Sequence, residues 1–157
     1  MPRLRLALAQ ADPTVGDLTG NAERALTAAR AAAGQDADII VFPEMFLTGY
    51  PIEDLALRPS FQDASRAMLE SFAAELARDG LGERIVIMGY LDRIDIGSGL
   101  GQPHRGPINA AAVIQHGQVR ARYAKHHLPN YGVFDEFRYF VPGDVSCFIR
   151  VRGIEIA

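Results

Sequence analysis

The sequence predicts an α/β protein with mixed sheets, in which a β-α-β-α-β segment is followed by hairpins. Two short apolar runs, residues 37–42 and 85–88, have the length and composition of strands that are buried on both faces. The segment before each run repeats apolar residues at the three- and four-residue spacing of a helix. Beyond residue 107, the apolar segments are separated by short turns that contain Gly, which is typical of antiparallel hairpins.

The first half of the chain contains two predicted helices and the strands that flank them. A strand is predicted over residues 3–9, and it is followed by a helix that Asn21 caps and Gly34 closes. A second helix is predicted to begin at Ser60 and to stop at residues 79–80. The apolar stripes are Ala22, Ala25, Leu26, Ala29 and Ala32 in the first helix and Phe61, Ala64, Met68, Phe72 and Leu76 in the second.

The second half is predicted to form a loop and two hairpins. Residues 96–107 are rich in Gly and Pro and are predicted to be a surface loop. His116-Gly117 and Arg152-Gly153 are suited to the tight turns of hairpins. The strands predicted on either side of these turns are residues 110–115, 118–124, 145–151 and 154–157.

The composition is that of one packed globular domain. Of the 157 residues, 48% are hydrophobic and 22% are charged, which excludes a disordered or collagen-like chain. A formal net charge of -3 offers no basic field to nucleic acid or to an anionic membrane. The single cysteine, Cys147, excludes an internal disulfide and fits a reducing compartment. No apolar run has the length of a signal peptide core or a membrane span, so we expect a cytoplasmic protein.

Glu44 follows directly after the first buried apolar run, at the carboxyl end of a predicted strand. Ligands and reacting groups gather at this edge of α/β sheets. The apolar neighbours of Glu44 would remove its carboxylate partly from water, which suits it to proton transfer near neutral pH. The alternative interpretation is an exposed loop carboxylate or a helix-capping residue.

Lys125 is the only lysine among 16 basic residues, all the others being arginine. An ammonium is a compact point charge and a guanidinium is a flat fork, so this position is a candidate for a site that requires an ammonium. Strand alternation places Val119, Ala121 and Tyr123 on one face, and the same period directs Lys125 inward. An inward lysine needs a carboxylate partner or a developing negative charge. If the strand ends earlier, Lys125 lies in solvent.

Other titratable residues carry weaker signals. Glu136 lies in an aromatic segment and is expected to pair with Lys125 or with a neighbouring arginine. His126 and His127 are adjacent and diverge on a strand, so they cannot readily share a metal, and no metal site is predicted. Cys147 lies in an apolar, strand-like segment without a neighbouring base and is expected to be a small buried hydrophobic residue.

Four segments together resemble the carbon–nitrogen hydrolase (nitrilase-like) superfamily. They are residues 7–21, residues 41–51 (Val-Phe-Pro-Glu-Met-Phe-Leu-Thr-Gly-Tyr-Pro), residues 125–136 (Lys-His-His-Leu-Pro-Asn-Tyr-Gly-Val-Phe-Asp-Glu) and residues 151–157. The second and third segments are highly specific. Glu53-Asp54-Leu55 with Arg58-Pro59 narrows the resemblance to the amino-terminal glutaminase domains of the glutamine-dependent NAD synthetases.

This resemblance implies an α-β-β-α sandwich and a catalytic set of Glu, Lys and Cys with a second, supporting Glu. It implies that Glu44 is the general base, that Lys125 stabilises the tetrahedral oxyanion, and that Glu136 is the supporting carboxylate. Tyr131 and Phe134 match positions that line the glutamine pocket. The implied activity is glutamine hydrolysis, which supplies ammonia for the ATP-dependent conversion of nicotinic acid adenine dinucleotide to NAD. No metal or cofactor is implied within these residues, since ATP and Mg²⁺ belong to the synthetase domain.

The resemblance also implies a position for the nucleophilic cysteine. In the family it follows a strand like residues 153–157 by a few residues, and Cys147 does not match it. Residues 1–157 are therefore expected to be an incomplete glutaminase domain, without the synthetase domain and inactive alone. The expected partners are L-glutamine, the synthetase domain and further copies of the chain in a homo-oligomer. The alternatives are another amidase or carbamoylase of the superfamily, and a non-catalytic docking module that keeps the fold.

Overall fold

The computed structural model describes residues 3–95 and 105–157 of the chain. Its strands are β1 (Leu6–Leu8), β2 (Ile39–Val41), β3 (Ile85–Asp95), β4 (Arg105–Gln115), β5 (Gln118–Ala124), β6 (Ile149–Val151) and β7 (Ile154–Ile156). Its α-helices are α1 (Leu18–Ala33) and α2 (Pro59–Arg78), and short 3-10 helices cover Glu53–Leu57 and Glu136–Arg138. Within the described ranges, no helix combines the length and apolarity needed to cross a membrane.

Strands β1 to β5 form one mixed sheet in sequence order. The first three strands are parallel, because α1 and α2 return the chain to the same edge between them. Strands β4 and β5 are antiparallel to their neighbours, and the turn at His116-Gly117 joins them with positive φ at both residues, as a two-residue hairpin turn requires. The predicted α/β fold with a mixed sheet is confirmed.

The two faces of the sheet pack against different elements. On one face, α1 and α2 bury Ala25, Ala29 and Phe72 against the apolar side chains of β2, β3 and β4. On the other face, the β6–β7 hairpin packs Ile149 and Ile156 against β2, β3 and β4. The sheet therefore has apolar residues on both sides, which explains the nearly continuous apolar runs of its central strands.

The first helix begins earlier than the sequence predicts, and the prediction that Asn21 caps it is wrong. Asp17 is the N-cap, and Asn21 lies one turn inside α1 with its side chain fully buried. The Asn21 amide donates to the backbone oxygens of Thr14 and Leu47 and accepts from the Thr14 N–H. An amide has donors and an acceptor for both loops, so Asn21 joins the turn before α1 to the loop after β2.

Several strand boundaries also differ from the predictions; β1 is shorter than residues 3–9, and β3 continues past residue 88 to Asp95. Residues 105–107 were expected in a loop but begin β4, because they continue its ladder with the long strand β3; the rest of that loop, residues 96–104, lies outside the described residues. Residues 145–148 precede β6 and are not a strand. Val145 is 73% exposed and Phe148 is 66% exposed, so this segment has no second apolar surface to bury them.

The predicted alternation in β5 is interrupted by a bulge. Val119 pairs with Ile114 while Ala121 pairs with Val113, so one extra residue stands between them on β5. Val119 therefore packs on the helix side, whereas Ala121 packs on the opposite side. The prediction that both share a face is wrong, but the alternation from Ala121 onward still directs Lys125 to the side opposite the helices.

Gly89 brings the loop after β2 onto β3. Its carbonyl accepts the N–H of Leu47 at 3.0 Å. A Cβ atom at Gly89 would overlap the carbonyl oxygen of Pro43 and the amide nitrogen of Met45. Because these neighbours are backbone atoms, only glycine lets the loop lie this close to the strand.

We expect Gly89→Ala to lower the free energy of unfolding by about 1–3 kcal/mol, since the added methyl forces a backbone shift. Urea denaturation measures the change. Gly34→Ala is the matched control, because Gly34 has helical dihedral angles and a Cβ there meets its nearest atom at 3.4 Å. An equal loss in both variants would contradict the close-approach role of Gly89.

Candidate active site

Glu44 lies in a series of tight turns directly after β2. The turns are anchored on β3 on both sides of Glu44, because Phe42 donates to Ile87 and Leu47 donates to Gly89. Phe46 and Leu47 are fully buried beneath the turn. The Glu44 side chain is 47% exposed, so a rigid backbone presents a carboxylate that is partly removed from water.

Lys125 is the first residue after β5, and its backbone is held from two directions. Its N–H donates to the carbonyl of Asn109 at 2.8 Å, and its own carbonyl accepts the N–H of Gly143 at 2.9 Å. A Cβ at Gly143 would overlap the backbone of Ala124, so the glycine permits this approach. The chain that returns past β5 thus fixes the position from which the Lys125 side chain extends.

Glu136 is a buried carboxylate in the second 3-10 helix, with its side chain only 3% exposed. The Tyr50 hydroxyl donates to its Oε1 at 2.9 Å. The Glu136 backbone N–H donates to the carbonyl of Pro129, which closes the loop that precedes it. A carboxylate this deeply buried needs a cation and hydrogen-bond donors beside it.

The Lys125 ammonium lies between the two carboxylates. Its Nζ is 2.6 Å from Oε1 of Glu44, 3.0 Å from Oε2 of Glu136 and 3.1 Å from Oε1 of Glu136. Asn109 adds a donor, since its Nδ2 lies 2.5 Å from the same Oε1 of Glu44. The expected carboxylate partner of Lys125 is therefore observed, and there are two of them. The open alternative that Lys125 lies in solvent is wrong.

These charges change the proton affinities of their neighbours. Partial burial by itself lowers the pKa of Lys125, but the hydrogen bonds and charges of Glu44 and Glu136 outweigh it and raise that pKa above the ordinary lysine value. Burial raises the pKa of Tyr50 above the usual tyrosine range, and the hydrogen bond and charge of Glu136 raise it further. The lysine is consequently a fixed ammonium at neutral pH.

A cavity of about 190 Å³ opens beside this cluster. Glu44, Asn109, Lys125 and Tyr123 supply its polar groups. The remaining lining residues are Phe42, Pro43, Ile87, Gly89, Ala110 and Ala111. A carboxylate, an ammonium and an apolar wall around a small space are suited to proton transfer and to stabilising a developing negative charge on a bound molecule.

Tyr131 and Phe134 form an edge-to-face pair with ring centroids 5.8 Å apart. Tyr131 is 70% exposed and Phe134 is 37% exposed. They belong to the loop between Lys125 and Glu136, and neither lines the cavity beside Glu44. Their assignment to the glutamine pocket stays a prediction.

Cys147 is only partly buried, so the predicted burial of its thiol is incomplete, although it packs against apolar residues of the sheet and the β6–β7 hairpin as a small hydrophobic residue. It lines an apolar groove of about 440 Å³ between the sheet and the β6–β7 hairpin, beside Ile149 and Ile156. The side chains of Ser146 and Phe148, on either side of Cys147, are exposed, so this segment lies at the surface. The groove shares Ile87, Ala111 and Tyr123 with the cavity beside Glu44.

Sequence reasoning missed Asn109 and Tyr50 as members of this cluster. Asn109 interrupts the apolar segment of β4 and is 3% exposed, and an amide inside such a run is a signal that the sequence offers. Tyr50 carries no comparable signal, because it reaches Glu136 only through the packing of loops 86 residues apart. Across residues 3–95 and 105–157, no group of three potential metal ligands is close enough to hold an ion.

The profile of the family described as carbon-nitrogen hydrolase matches residues 5–156. The chain belongs to the carbon–nitrogen hydrolase family. The match spans every described strand and helix, so the mixed sheet, its two helices and the β6–β7 hairpin are the nitrilase-like fold in part.

Several known proteins resemble this carbon–nitrogen hydrolase chain over nearly its whole length. A glutamine-dependent NAD(+) synthetase of Thermotoga maritima is 42% identical over 156 residues, covering 99% of this chain and 25% of the relative. The structure of the Acinetobacter baumannii glutamine-dependent NAD+ synthetase with ADP has a TM-score of 0.79 at 35% identity and covers 97% of this chain and 26% of that one. An amidase from Nesterenkonia sp. has a TM-score of 0.71 at 27% identity, covering 97% and 53%.

We expect Lys125→Met to destabilise this carbon–nitrogen hydrolase chain by about 2–4 kcal/mol, because Glu136 would remain buried without its cation. Adding Glu136→Gln should recover more than half of the loss, since the amide is neutral and still accepts from Tyr50. Urea denaturation of both variants measures this coupling. Arg150→Met, which breaks the exposed pair with Glu155, is the control and should change stability little. A double variant no more stable than Lys125→Met would contradict the ion pairing.

Stability should fall at alkaline pH and more steeply with Tyr50 present. The pKa values of Lys125 and Tyr50 are both raised on folding. Their stabilisation is therefore complete below the unfolded values of about 10 and is lost as the pH rises toward the folded values. Chemical denaturation between pH 8 and 11 should give a shallower decline for Tyr50→Phe than for wild type. Tyr131→Phe, at an exposed tyrosine, is the control, and an identical slope in all three proteins would refute the expectation.

Proposed function

We propose that this chain takes part in hydrolysis of the side-chain amide of L-glutamine, as the amino-terminal part of a glutaminase domain. The observation that carries the proposal is the Lys125 ammonium held between Glu44 and Glu136 beside a small cavity. The relatives named glutamine-dependent NAD(+) synthetase support the choice of glutamine. This chain spans about a quarter of their length.

In the proposed reaction Glu44 is the general base. Its carboxylate takes the proton of a cysteine thiol, and the thiolate attacks the amide carbon of glutamine. The tetrahedral intermediate collapses by breaking the C–N bond, and Glu44 returns the proton to the leaving nitrogen, which departs as ammonia. Water then gives a proton to Glu44 and attacks the thioester carbon. The second tetrahedral intermediate collapses by breaking the C–S bond, and the sulfur leaves as the thiol with the proton held by Glu44. The new carboxyl group gives its remaining proton to the solvent and leaves as the side-chain carboxylate of glutamate.

Lys125 stabilises the negative oxygen of each tetrahedral intermediate. Its ammonium has three N–H donors, and the hydrogen bonds to Glu44 and Glu136 use two of them. The remaining donor is available to an oxyanion in the adjoining cavity. Glu136, held by Tyr50, fixes the ammonium from the buried side. Tyr131 and Phe134 would bind glutamine from the loop between these residues.

The nucleophile in this proposal lies in sequence beyond residue 157. Cys147 is the only cysteine of the 157 residues, and none of the described residues that line its groove has a carboxylate side chain. The proposal fits an amidase from Nesterenkonia sp., 26% identical to this chain, whose structure shows acrylamide added at the active-site cysteine. The 157-residue chain alone would therefore not turn over glutamine.

In the complete protein, ammonia from this site would serve a synthetase domain that forms NAD from nicotinic acid adenine dinucleotide. We propose that ATP and Mg²⁺ would be bound by that domain rather than by residues 1–157. We also propose a cytoplasmic homo-oligomer. The second candidate function is that of a simple amidase, which the likeness to the Nesterenkonia enzyme favours; glutamine as the preferred substrate would distinguish the synthetase assignment from it.

The test uses the protein encoded by the whole reading frame that contains these residues. Wild type should release glutamate from glutamine, and Lys125→Arg should reduce this rate at least about a thousandfold because a guanidinium fork cannot occupy the point-charge site. NAD formation from added ammonia should survive in the variant. Loss of both activities would indicate misfolding, and loss of neither would refute the role of Lys125.

Cys147→Ala is the matched control in the same assay and should retain glutamine hydrolysis. The purified 157-residue chain should show none. Activity of the short chain that disappears with Cys147→Ala would make Cys147 the nucleophile and overturn the proposed position of the reactive thiol. A full-length protein that hydrolyses other amides but not glutamine would support the simple amidase instead.

A further inference from the structure

Asn109 is a buried amide in the middle of β4 whose side chain points at Glu44. It is 3% exposed, and its Nδ2 lies 2.5 Å from Oε1 of Glu44. Its neighbours along the strand are Ile108 and Ala110, and its partner on β3 is Leu91. Burying an amide costs free energy unless it is hydrogen-bonded. The Asn109 amide donates a hydrogen bond to the Glu44 carboxylate.

The backbone of the same residue holds the lysine. The Asn109 carbonyl accepts the N–H of Lys125 at 2.8 Å, at the point where β5 ends. Asn109 therefore contacts the Glu44 carboxylate through its side chain and the backbone N–H of Lys125 through its carbonyl. The separation between Glu44 and Lys125 is set on a single rigid strand rather than between two loops.

The two donors to Glu44 converge on one oxygen. Asn109 and Lys125 both donate to Oε1, and within residues 3–95 and 105–157 no hydrogen bond to Oε2 is found, so the described residues leave the lone pairs of Oε2 for a bound molecule. A glutamate side chain has three rotatable torsions, and the half-exposed Glu44 would otherwise sample several orientations. An amide also adds a donor without adding a second positive charge, so it fixes the carboxylate without a further cation.

We propose that Asn109 is a positioning residue that fixes the Glu44 carboxylate so that Oε2 is the atom that accepts the thiol proton. This inference rests on the proposed function for the direction of the proton transfer. The geometry is independent of the proposed function, because the hydrogen bond from Asn109 to Glu44 forms without a substrate.

Three variants of the protein encoded by the whole reading frame test this role. Asn109→Ala removes the donor, and we expect kcat for glutamine hydrolysis to fall about a hundredfold while KM changes less than about threefold, because a misplaced base slows the chemical step. Asn109→Asp keeps the shape and replaces the donor with a carboxylate. Val113→Ala is the matched control on the same strand and face, and it should lower the melting temperature and leave kcat unchanged.

The pH profile separates positioning from a structural role. The titratable groups around Glu44 are Lys125, then Glu136 and Tyr50 behind it, with Tyr123 lining the same cavity. In Asn109→Asp a second carboxylate beside Glu44 repels the negative charge of the base. The acidic limb of kcat/KM should therefore move to higher pH by about one unit or more. In Val113→Ala it should stay in place.

The outcomes decide the inference in each case. A lower melting temperature with unchanged kcat and pH profile in both Asn109 variants would overturn it, as would a raised KM with unchanged kcat, which would make Asn109 a substrate-binding residue. If wild type does not hydrolyse glutamine, the proposed function fails separately. In that case the positioning role is tested by the ¹³C carboxyl resonance of Glu44, which is identified by its loss in Glu44→Gln. We expect this resonance to shift in Asn109→Ala and not in Val113→Ala. No shift in either variant would overturn the positioning role.

Discussion

The contact between one ammonium and two carboxylates is the interaction on which the rest of the site depends. Lys125 joins the loop after β2, which carries Glu44, to the 3-10 helix that carries Glu136. The lysine compensates a carboxylate that is almost wholly removed from water, and it keeps the half-exposed Glu44 within reach of the same charge. Without it, the buried Glu136 would be an uncompensated charge, so stability and chemistry are coupled at this point.

The topology of the sheet explains how these residues meet. Strands β2 and β3 are parallel, and the two antiparallel steps to β4 and β5 make β5 run in the direction of β2. Glu44 and Lys125, which follow β2 and β5, therefore leave the sheet at the same edge. Strands β2 and β5 lie three spacings apart, about 14 Å. Gly89 lets the Glu44 loop lean across β3, and Asn109 on β4 bridges the remaining gap.

Local patterns predicted the elements whose signals are confined to one segment. The apolar runs of β2 and β3, the stripe of α1 and the His116-Gly117 turn each depend on neighbours in the sequence, and each is found in the structure. The stripe predicted for α2 is only partly correct, since Ala64 is exposed and Ser65 and Leu69 are buried instead. The predictions failed where a distant segment decided the outcome. Asn21 has the side chain of a capping residue but is used to join two loops, and residues 105–107 became a strand because β3 offered a ladder to extend.

The sequence by itself determined the fold class, the family and the residue types of the site: a carboxylate after a buried strand, a single lysine among arginines, and a motif that links the lysine to Glu136. Only the tertiary structure decided which oxygen of Glu44 is occupied, and that Asn109 and Tyr50 support the two carboxylates. The reason is physical. Strand alternation and residue chemistry are properties of a segment, whereas a hydrogen bond between residues 65 or 86 positions apart exists only after the sheet and its loops have packed.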